Sequence, residues 1–406
     1  MKVDSPDDLP NVRRANRALA ALWRSGAAPQ PRLEAGWLEA RALRGAARDT
    51  LGENDEWRTP FEILLGSLRG EADLNALGLT MAHGQIVLAL RARIRAASLW
   101  HHDPGILERP IRAPIIILGQ MRSGTTRLQR LLACDDRLAH TRLHESLIPV
   151  PLGKRPGGAD LRRMRARIGL AALRSLNPEI ARIHPTGPSA AEEEFGLFSF
   201  SFGPAQFEAQ WRVPAFTTWW EGADKTPLYR EFKALLQTNG WFRGEAPDRS
   251  WILKAPQFVE DLPFLLEVFP DARFIRLDRD LEQVVPSSAS LVWNQMRVQS
   301  DSADPAWIGR EWLRKTLRRR EIAERFFLER SDVPRIEIAY EAMNRDWRGE
   351  IERIYRFLDM ELAPEVSSRM ERYLAGASSH RGHVYSLEQF GLSRGDIAGD
   401  ANKTAR

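Results

Sequence analysis

The stretch Pro114-Ile-Ile-Ile-Leu-Gly119-Gln-Met-Arg-Ser-Gly-Thr-Thr126 decides the fold. Its first half is a short, β-branched apolar run that ends at a glycine, which predicts a buried strand of a parallel sheet. In residues 125–134 the apolar side chains recur at helical spacing. The glycine-containing loop is therefore expected to lie between a strand and the N-terminus of a helix. Backbone N–H groups converge on an anion at such a junction. The stretch therefore predicts an α/β fold with a phosphate-binding loop.

Short apolar strands and helices continue to alternate towards the C-terminus. Strands are predicted at residues 251–254, 272–277 and 335–340, and helices at residues 259–268, 281–292 and 346–358. Because strands and helices alternate, consecutive strands are expected to run parallel and to be joined by right-handed crossovers. The predicted fold class is α/β, with a P-loop-like parallel sheet flanked by helices.

The chain before the central strand has a different pattern. Between residues 11 and 101, Leu, Trp and Ala recur at three- and four-residue spacing, which predicts an N-terminal helical region. We expect this region to cover residues 1–110 and the α/β domain to cover residues 111–392. The last segment, residues 393–406, has Ile397 as its one large apolar residue and is expected to be a flexible tail.

The composition is that of a globular protein and excludes several kinds of site. The 406 residues are 43% hydrophobic and 28% charged, close to the globular average. A single cysteine, Cys134, excludes an internal disulfide framework and multi-cysteine metal sites. The first residues are polar and acidic, unlike a secretory signal, and no apolar run is long enough to span a membrane. A cytoplasmic protein without a membrane span is therefore expected.

The charge balance favours a small anionic ligand over nucleic acid. Lys and Arg total 59 against 54 Asp and Glu, which gives a net charge of +5 and a pI of about 9.5. This excess is too diffuse to indicate a nucleic-acid partner. Residues 162–174 and 314–330 are rich in arginine, and we expect solvated helix faces there rather than a nucleic-acid site.

The loop between strand and helix differs from that of nucleotide triphosphatases. It keeps the spacing of Gly119 and Gly124 found in the GxxxxGK[ST] pattern. Thr125, however, occupies the place of the lysine that reaches the γ-phosphate, and the cation is Arg122, inside the loop. This difference argues against an ATPase or a kinase.

The string Arg122-Ser-Gly-Thr-Thr126 resembles the 5′-phosphosulfate loop of sulfotransferases that use 3′-phosphoadenylyl sulfate (PAPS). Tyrosylprotein sulfotransferases and many bacterial sulfotransferases have this string, whereas cytosolic sulfotransferases have lysine at the Arg122 position. The resemblance implies that the 5′-phosphate and the bridging oxygen of PAPS are held by Arg122, Ser123, Gly124, Thr125 and Thr126.

A second segment, residues 251–288, resembles the other half of the PAPS site in this family. It contains a Leu-Lys-x-Pro string, a Phe-Pro-Asp-Ala-Arg-Phe-Ile string, a strand that leads to Arg279, and Ser287 eight residues further on. Arg279 leaves a strand end and Ser287 lies about two helical turns into the next element, so both can converge on one dianion. In the family this dianion is the phosphate that ATP lacks, the 3′-phosphate.

Three further positions are carried over from the family. Lys254 ends its strand at the same sheet edge as Gly119, and the resemblance implies that it contacts the bridging oxygen of the sulfate. Tyr340, at a strand end, matches a tyrosine that packs near the adenine. Residues 380–392 resemble a C-terminal segment of bacterial members, in which Arg381 would lie over the 3′-phosphate.

Sulfuryl transfer also needs a group that takes the proton of the acceptor. Carbohydrate and tyrosylprotein sulfotransferases have a glutamate base a little over twenty residues after the loop. The resemblance implies that Glu145, 23 residues after Arg122, is this base. His144 remains the alternative, because an unperturbed histidine pKa near 6.5 suits a base at neutral pH. His140 and His144 could share a metal with Glu145 on a helix, but two histidines at this spacing are more often incidental, so no metal is expected.

These features are typical of a PAPS-dependent sulfotransferase of the EC 2.8.2 class. It would move a sulfuryl group to a hydroxyl or amine of an unidentified acceptor, which we expect to be a small molecule or a carbohydrate or aromatic compound. Nine of the 26 residues from 195 to 220 are Phe or Trp, a density typical of core packing that would also suit an acceptor pocket. The alternatives are a P-loop-like nucleotide kinase, with Asp278 or Asp280 binding magnesium, and a non-catalytic nucleotide-binding protein.

Overall fold

A computed structural model of the chain describes residues 9–46, 51–52, 54–153, 156–179, 184–377 and 385–397. Its centre is a parallel β-sheet with the strand order β2-β3-β1-β4-β5. The strands are β1 (Ile115–Leu118), β2 (Leu138–His140), β3 (Ser250–Lys254), β4 (Arg273–Asp278) and β5 (Arg335–Ala339). The predicted α/β fold with a parallel sheet is therefore confirmed.

Helices cover the sheet and extend beyond it. In chain order they are α1 (Pro10–Arg24), α2 (Ala35–Leu43), α3 (Arg58–Gly70), α4 (Ala76–His102), α5 (Thr125–Leu132), α6 (Leu143–Leu147), α7 (Arg162–Leu176), α8 (Phe195–Ser199), α9 (Pro204–Gln210), α10 (Pro214–Gly222), α11 (Thr226–Arg243), α12 (Leu262–Val268), α13 (Leu281–Gln299), α14 (Pro305–Glu329), α15 (Tyr340–Arg345), α16 (Trp347–Phe357) and α17 (Pro364–Ala377). Short 3₁₀ turns lie at Pro104–Glu108, Pro256–Val259 and Glu388–Phe390. Among the helices that the structure describes, none combines the length and the apolar character that a bilayer crossing requires.

The central strand β1 is buried on both faces, which explains its unbroken Ile-Ile-Ile-Leu run. Ile115 and Ile117 pack with Leu128 of α5 in one buried cluster. Ile116 and Leu118 belong to a second cluster. Since successive side chains of a strand point to opposite faces, the two clusters are the cores on the two sides of the sheet.

The strand β2 is the one that the sequence pattern does not indicate. Its three residues pair with residues 250–252 of β3 at one edge of the sheet. A strand of three residues is too short to show a period of its own. His140 therefore lies in β2 and His144 in α6, so the two histidines do not share a helix.

The N-terminal helices belong to the same hydrophobic core as the sheet. Phe61 of α3 and Leu90 of α4 lie in one buried cluster with Leu253 of β3 and Phe274 of β4. The change of pattern near residue 110 thus marks a change in secondary structure, and the core is continuous across it.

The aromatic segment 195–220 packs in this core. The ring of Phe198 has its centroid 5.9, 5.1 and 5.7 Å from those of Tyr229, Phe232 and Phe258. Aromatic ring pairs of this kind stabilise a fold by more than the burial of their apolar area alone. Seven of the nine Phe and Trp residues are buried in this core, so core packing accounts for most of their density.

The C-terminal segment packs against α13. Ile397 is buried in a cluster with Leu281, Val285 and Leu392. Buried structure therefore reaches Ile397, and the rest of the expected flexible tail, residues 398–406, lies outside the described residues.

Candidate active site

Residues that end or follow four of the parallel strands meet at one edge of the sheet. β1 is flanked by β3 and β4, and the carboxyl ends of parallel strands face the same edge. Gly119 follows β1, Lys254 ends β3, Arg279 follows β4 and Tyr340 follows β5. They therefore converge on the position where open α/β sheets bind their ligands.

The loop of residues 119–126 has the geometry of an anion site. Arg122 and Gly124 have φ angles of +70° and +91°, and α5 begins directly after them. Such left-handed residues turn successive backbone N–H groups into one concavity, to which the helix N-terminus adds its own. Ser123 donates from its backbone N–H and its hydroxyl to the carbonyl of Gln120. The loop is thus held in shape by its own hydrogen bonds.

Gly124→Ala is expected to destabilise the protein by about 1–3 kcal/mol. The left-handed φ is unfavourable for alanine, and the added Cβ would lie 2.8 Å from the ring of Tyr340. Gly244→Ala is the matched control, because Gly244 has a φ of +64° but a Cβ there would meet no atom within 4 Å. Urea unfolding measures both losses, and equal losses would contradict the close contact with Tyr340.

Arg122 is hydrogen-bonded to two residues that were predicted to bind phosphate, Ser287 and Arg279. Its Nε donates to the hydroxyl of Ser287 at 3.1 Å, and its carbonyl accepts from Nη1 of Arg279 at 2.6 Å. The Arg279 guanidinium also lies over the ring of Tyr340, 4.1 Å from its centroid. The structure thus brings together Arg122, Arg279, Ser287 and Tyr340.

Tyr385 belongs to this group although the sequence did not single it out. The hydroxyl of Ser287 donates to the hydroxyl of Tyr385 at 2.6 Å. Tyr385 comes from the C-terminal segment that resembles bacterial sulfotransferases, so the resemblance of that segment could have indicated Tyr385 as a site residue. Arg381, from the same segment, lies outside the described residues.

Lys254 is buried at the same edge, with 1% exposure. Its ammonium donates to the hydroxyl of Thr126 at 3.0 Å and to a carboxylate oxygen of Glu193. A buried cation therefore contacts both the 119–126 loop and an acidic side chain. The Glu193 side chain keeps 13% exposure, so it is less completely buried than Lys254.

Glu193 is the site residue that the sequence reasoning missed. It is the middle one of three consecutive glutamates, residues 192–194, that directly precede the aromatic segment. Three acids directly before buried helices were the available signal, because acidic side chains are rarely buried without a partner. The partner of Glu193, Lys254, lies 61 residues away in the sequence.

Glu194 is fully buried beside Lys254. One of its carboxylate oxygens accepts from the backbone N–H of Lys254 at 2.7 Å. Burial raises the pKa of Glu194 to about 8, although that hydrogen bond opposes the shift. Glu194 is therefore mainly protonated at neutral pH in the folded protein.

The raised pKa of Glu194 predicts a pH-dependent stability. The unfolded chain loses this proton near pH 4.5 and the folded protein near pH 8, so the folded state binds more protons between these values. The free energy of unfolding should therefore fall as pH rises through this window, by at most about 1.4 kcal/mol per pH unit. Glu194→Gln should remove this contribution. Urea unfolding at several pH values compares the two proteins, and identical pH profiles would contradict the assignment.

Glu145 lies in a different buried cluster. Its Oε2 accepts from the backbone N–H of Arg142 at 2.9 Å and lies 3.4 Å from Nη1 of Arg243, while Arg162 lies 3.9 Å from its Oε1. Burial alone would raise the pKa of Glu145, but the three arginines outweigh it and lower the pKa. Glu145 is fully buried, and within the described part of the chain its hydrogen bonds and ion pairs are made with Arg142, His144, Arg162 and Arg243.

His144 is equally buried and has partners of its own. Its Nδ1 lies 2.8 Å from the carbonyl oxygen of Pro188, and its Nε2 lies 3.2 Å from Oδ2 of Asp160. His144, Glu145 and Asp160 are close enough to one another to hold a metal ion. However, Arg162 donates to both carboxylate oxygens of Asp160, so this cluster is organised as internal ion pairs.

Comparisons with known proteins identify relatives of this chain. A model of the sulfotransferase family matches residues 114–364. The omega-hydroxy-beta-dihydromenaquinone-9 sulfotransferase Stf3 of Mycobacterium bovis is 27% identical over 300 residues, which are 68% of this chain and 70% of the relative. The protein of the same name from Mycobacterium tuberculosis matches to the same extent.

Solved structures share the fold. Sulfotransferase STF1 from Mycobacterium tuberculosis superimposes with a TM-score of 0.78 at 26% identity, over 91% of this chain and 98% of that one. Sulfotransferase STF9 from Mycobacterium avium gives a TM-score of 0.78 at 21% identity, over 92% and 96% of the two chains. Since the family match includes the whole sheet and the loop at its carboxyl edge, this chain belongs to the sulfotransferase family.

Proposed function

We propose that this protein transfers a sulfuryl group from PAPS to a hydroxyl or amine of a small-molecule acceptor. The observation that carries the proposal is the position of Arg122. Its loop lacks the lysine of ATP-binding loops, and hydrogen bonds join it to Arg279 and to Ser287. Two adjoining anion sites suit an adenosine ligand with phosphates on both its 5′ and 3′ oxygens, whereas the phosphates of ATP form a single chain.

In this proposal residues 122–126 bind the 5′-phosphate through their backbone N–H groups and the loop hydroxyls. Arg279 and Ser287 bind the 3′-phosphate. Arg279 donates through its charged guanidinium, which can form two parallel hydrogen bonds, and Ser287 donates through its neutral hydroxyl. Tyr340 faces the adenine, and Arg381 covers the 3′-phosphate. PAPS supplies the sulfuryl group, which carries less charge than a phosphoryl group, so the proposal includes no metal.

Lys254 and Arg122 are proposed to neutralise the leaving oxygen. The hydrogen bond from the Lys254 ammonium to the hydroxyl of Thr126 supports this role, because the loop is proposed to hold the phosphosulfate. Cations fixed at a developing negative charge stabilise a transition state more than mobile water does. Lys254 would transfer its hydrogen bond from Glu193 to the leaving oxygen as that charge develops.

We propose Glu193, in place of Glu145, as the general base. Glu193 contacts Lys254 and is partly exposed, whereas Glu145 is fully buried among arginines. As the acceptor oxygen forms its bond to sulfur and the sulfur–oxygen bond to the nucleotide breaks, the acceptor proton moves to the Glu193 carboxylate. The nucleotide product is adenosine 3′,5′-bisphosphate.

The acceptor is proposed to be a small molecule. The Stf3 relatives are named for a hydroxylated dihydromenaquinone, which has an alcohol as its reacting group. Aromatic and carbohydrate alcohols should also be tested as acceptors. We further propose a cytoplasmic location, in keeping with the single free cysteine, Cys134.

Ligand selectivity tests the proposal. In metal-free buffer, adenosine 3′,5′-bisphosphate is expected to raise the Tm, because a ligand that binds only the folded protein adds roughly 2.7 kcal/mol at a hundred times its Kd. ATP with Mg²⁺ is expected to raise the Tm far less, since Thr125 replaces the lysine. Equal shifts from the two ligands would favour a nucleotide kinase instead.

Arg279→Ala is the matched variant for the 3′-phosphate. A hydrogen bond to a charged group contributes about 1.5–3 kcal/mol, so affinity for the bisphosphate should fall roughly tenfold or more. Affinity for 5′-AMP, which lacks the 3′-phosphate, should stay nearly constant in the same calorimetric titration. If both ligands weaken together, Arg279 acts through the Arg122 carbonyl that it holds, and its assignment to the 3′-phosphate fails.

A further inference from the structure

Helix α7 carries an apolar stripe that faces away from the protein. Leu161, Met164 and Ile168 are 53%, 57% and 62% exposed. Their spacing of three and four residues places them on one side of the helix, while Ala166, on the opposite side, is buried. Single exposed apolar residues are ordinary, but several on one helix face form a patch that indicates a partner.

Basic residues border this stripe. The exposed arginines of the helix are Arg163, Arg165, Arg167 and Arg174. The helix contains no Asp or Glu. The acidic residues just outside its two ends are already paired, Asp160 with Arg162 and Glu179 with Arg297. The exposed side of α7 is therefore both apolar and strongly cationic.

Helix α1 lies next to α7 and is also cationic on its exposed side. The two helices are in contact, and Nδ2 of Asn11 donates to the carbonyl of Ser175 at 2.7 Å. Leu22 is another exposed apolar residue, with 45% exposure. Helix α1 also lacks Asp and Glu, and its exposed arginines are Arg13, Arg14, Arg17 and Arg24. We call the exposed sides of α1 and α7 together the α1–α7 face.

We propose that the α1–α7 face docks the protein on an anionic lipid surface. Amphipathic helices with this composition lie in the plane of the interface, with their apolar side chains among the acyl chains and their cations at the lipid phosphates. Nucleic acid would complement the arginines, but its phosphate backbone offers no apolar surface to Met164 and Ile168. The combination of both features therefore favours lipid.

The face is connected to the carboxyl edge of the sheet. Arg162, at the start of α7, donates to the carbonyl of Ile148 just after α6 at 3.2 Å. Ser146 of α6 donates to the carbonyl of Glu193 at 2.7 Å, and Glu193 is the partner of Lys254. The docking proposal stands on the exposed face and does not depend on the proposed function.

Co-sedimentation of the full-length protein with lipid vesicles tests docking. We expect binding to vesicles that contain phosphatidylglycerol to be roughly tenfold or more tighter than to vesicles of phosphatidylcholine alone, and to weaken as salt is added. The double substitution Met164→Ser/Ile168→Ser should weaken binding by about tenfold or more. Leu328→Ser is the matched control, because Leu328 is 83% exposed on another arginine-rich helix, α14. This variant should bind vesicles like the wild type.

Two results would overturn the proposal. The first is wild-type protein that stays in the supernatant with phosphatidylglycerol vesicles at low salt. The second is tight binding to duplex DNA or RNA together with unchanged vesicle sedimentation of the Met164→Ser/Ile168→Ser variant, which would make the face a nucleic-acid site. Because the substituted side chains are exposed, an unchanged Tm distinguishes lost docking from lost folding.

Discussion

Glu193→Gln is expected to lower kcat by about 10²–10⁴-fold, the usual loss when a general base is removed, while binding of adenosine 3′,5′-bisphosphate is kept. Glutamine has the size of glutamate and can still accept a hydrogen bond from Lys254, but it cannot take the acceptor proton. The loss should be larger for an aliphatic alcohol than for an acidic phenol, since the phenol gives up its proton without help. Steady-state kinetics with PAPS and both acceptors measures this difference.

Glu145→Gln is the control for that experiment. It removes a negative charge that lies between Arg162 and Arg243, and breaking a buried ion pair costs about 3–5 kcal/mol. We therefore expect a lower Tm, with kcat per folded molecule reduced by less than about tenfold, well below the loss of a base. A folded but inactive Glu145→Gln enzyme beside an active Glu193→Gln enzyme would return the role of base to Glu145.

Lys254→Met is expected to lower kcat by about 10²–10³-fold, as when one stabilising donor is removed from a developing anion. Methionine keeps the apolar stem but lacks the ammonium that contacts Thr126 and Glu193. Because that ammonium is proposed to act on charge that develops only during transfer, affinity for the bisphosphate should fall much less than kcat. Kinetics and calorimetry on the same preparation provide the comparison.

Lys225→Met separates this effect from a general loss of stability. Lys225 is also a buried lysine, 3.3 Å from a carboxylate oxygen of Asp261, and it lies outside the proposed site. Its removal should lower the Tm with little effect on kcat. A comparable loss of kcat in both variants would mean that Lys254 acts through stability alone.

Much of the fold could be predicted because its central strands β1 and β3 are short apolar runs that are buried almost throughout. β4 and the edge strand β5 are less buried, but they too are short segments between helices, and the parallel arrangement follows from that alternation. β2 was missed because it has three residues and lies at the sheet edge, where pairing with β3 rather than its own pattern determines its structure.

Within the site, the features that depend on local sequence could be predicted and the long-range ones could not. The 119–126 loop is shaped by a glycine and a helix start, and the spacing of Arg279 and Ser287 is visible along the chain. Glu193 reaches Lys254 only because α8 packs closely on α6. Gly196 permits this approach, since a Cβ there would overlap the carbonyl of Ser146.

The most direct test of sulfuryl transfer follows the label of sulfur-35 PAPS. The wild-type enzyme is incubated with pools of small-molecule alcohols and amines in the presence of EDTA, beside the Lys254→Met enzyme. We predict that the label moves to an organic acceptor, that adenosine 3′,5′-bisphosphate forms in equal amount, and that the Lys254→Met enzyme gives far less of both. Label that stays on PAPS with every pool, while the wild-type protein consumes ATP in a parallel assay with Mg²⁺, would contradict the proposed function.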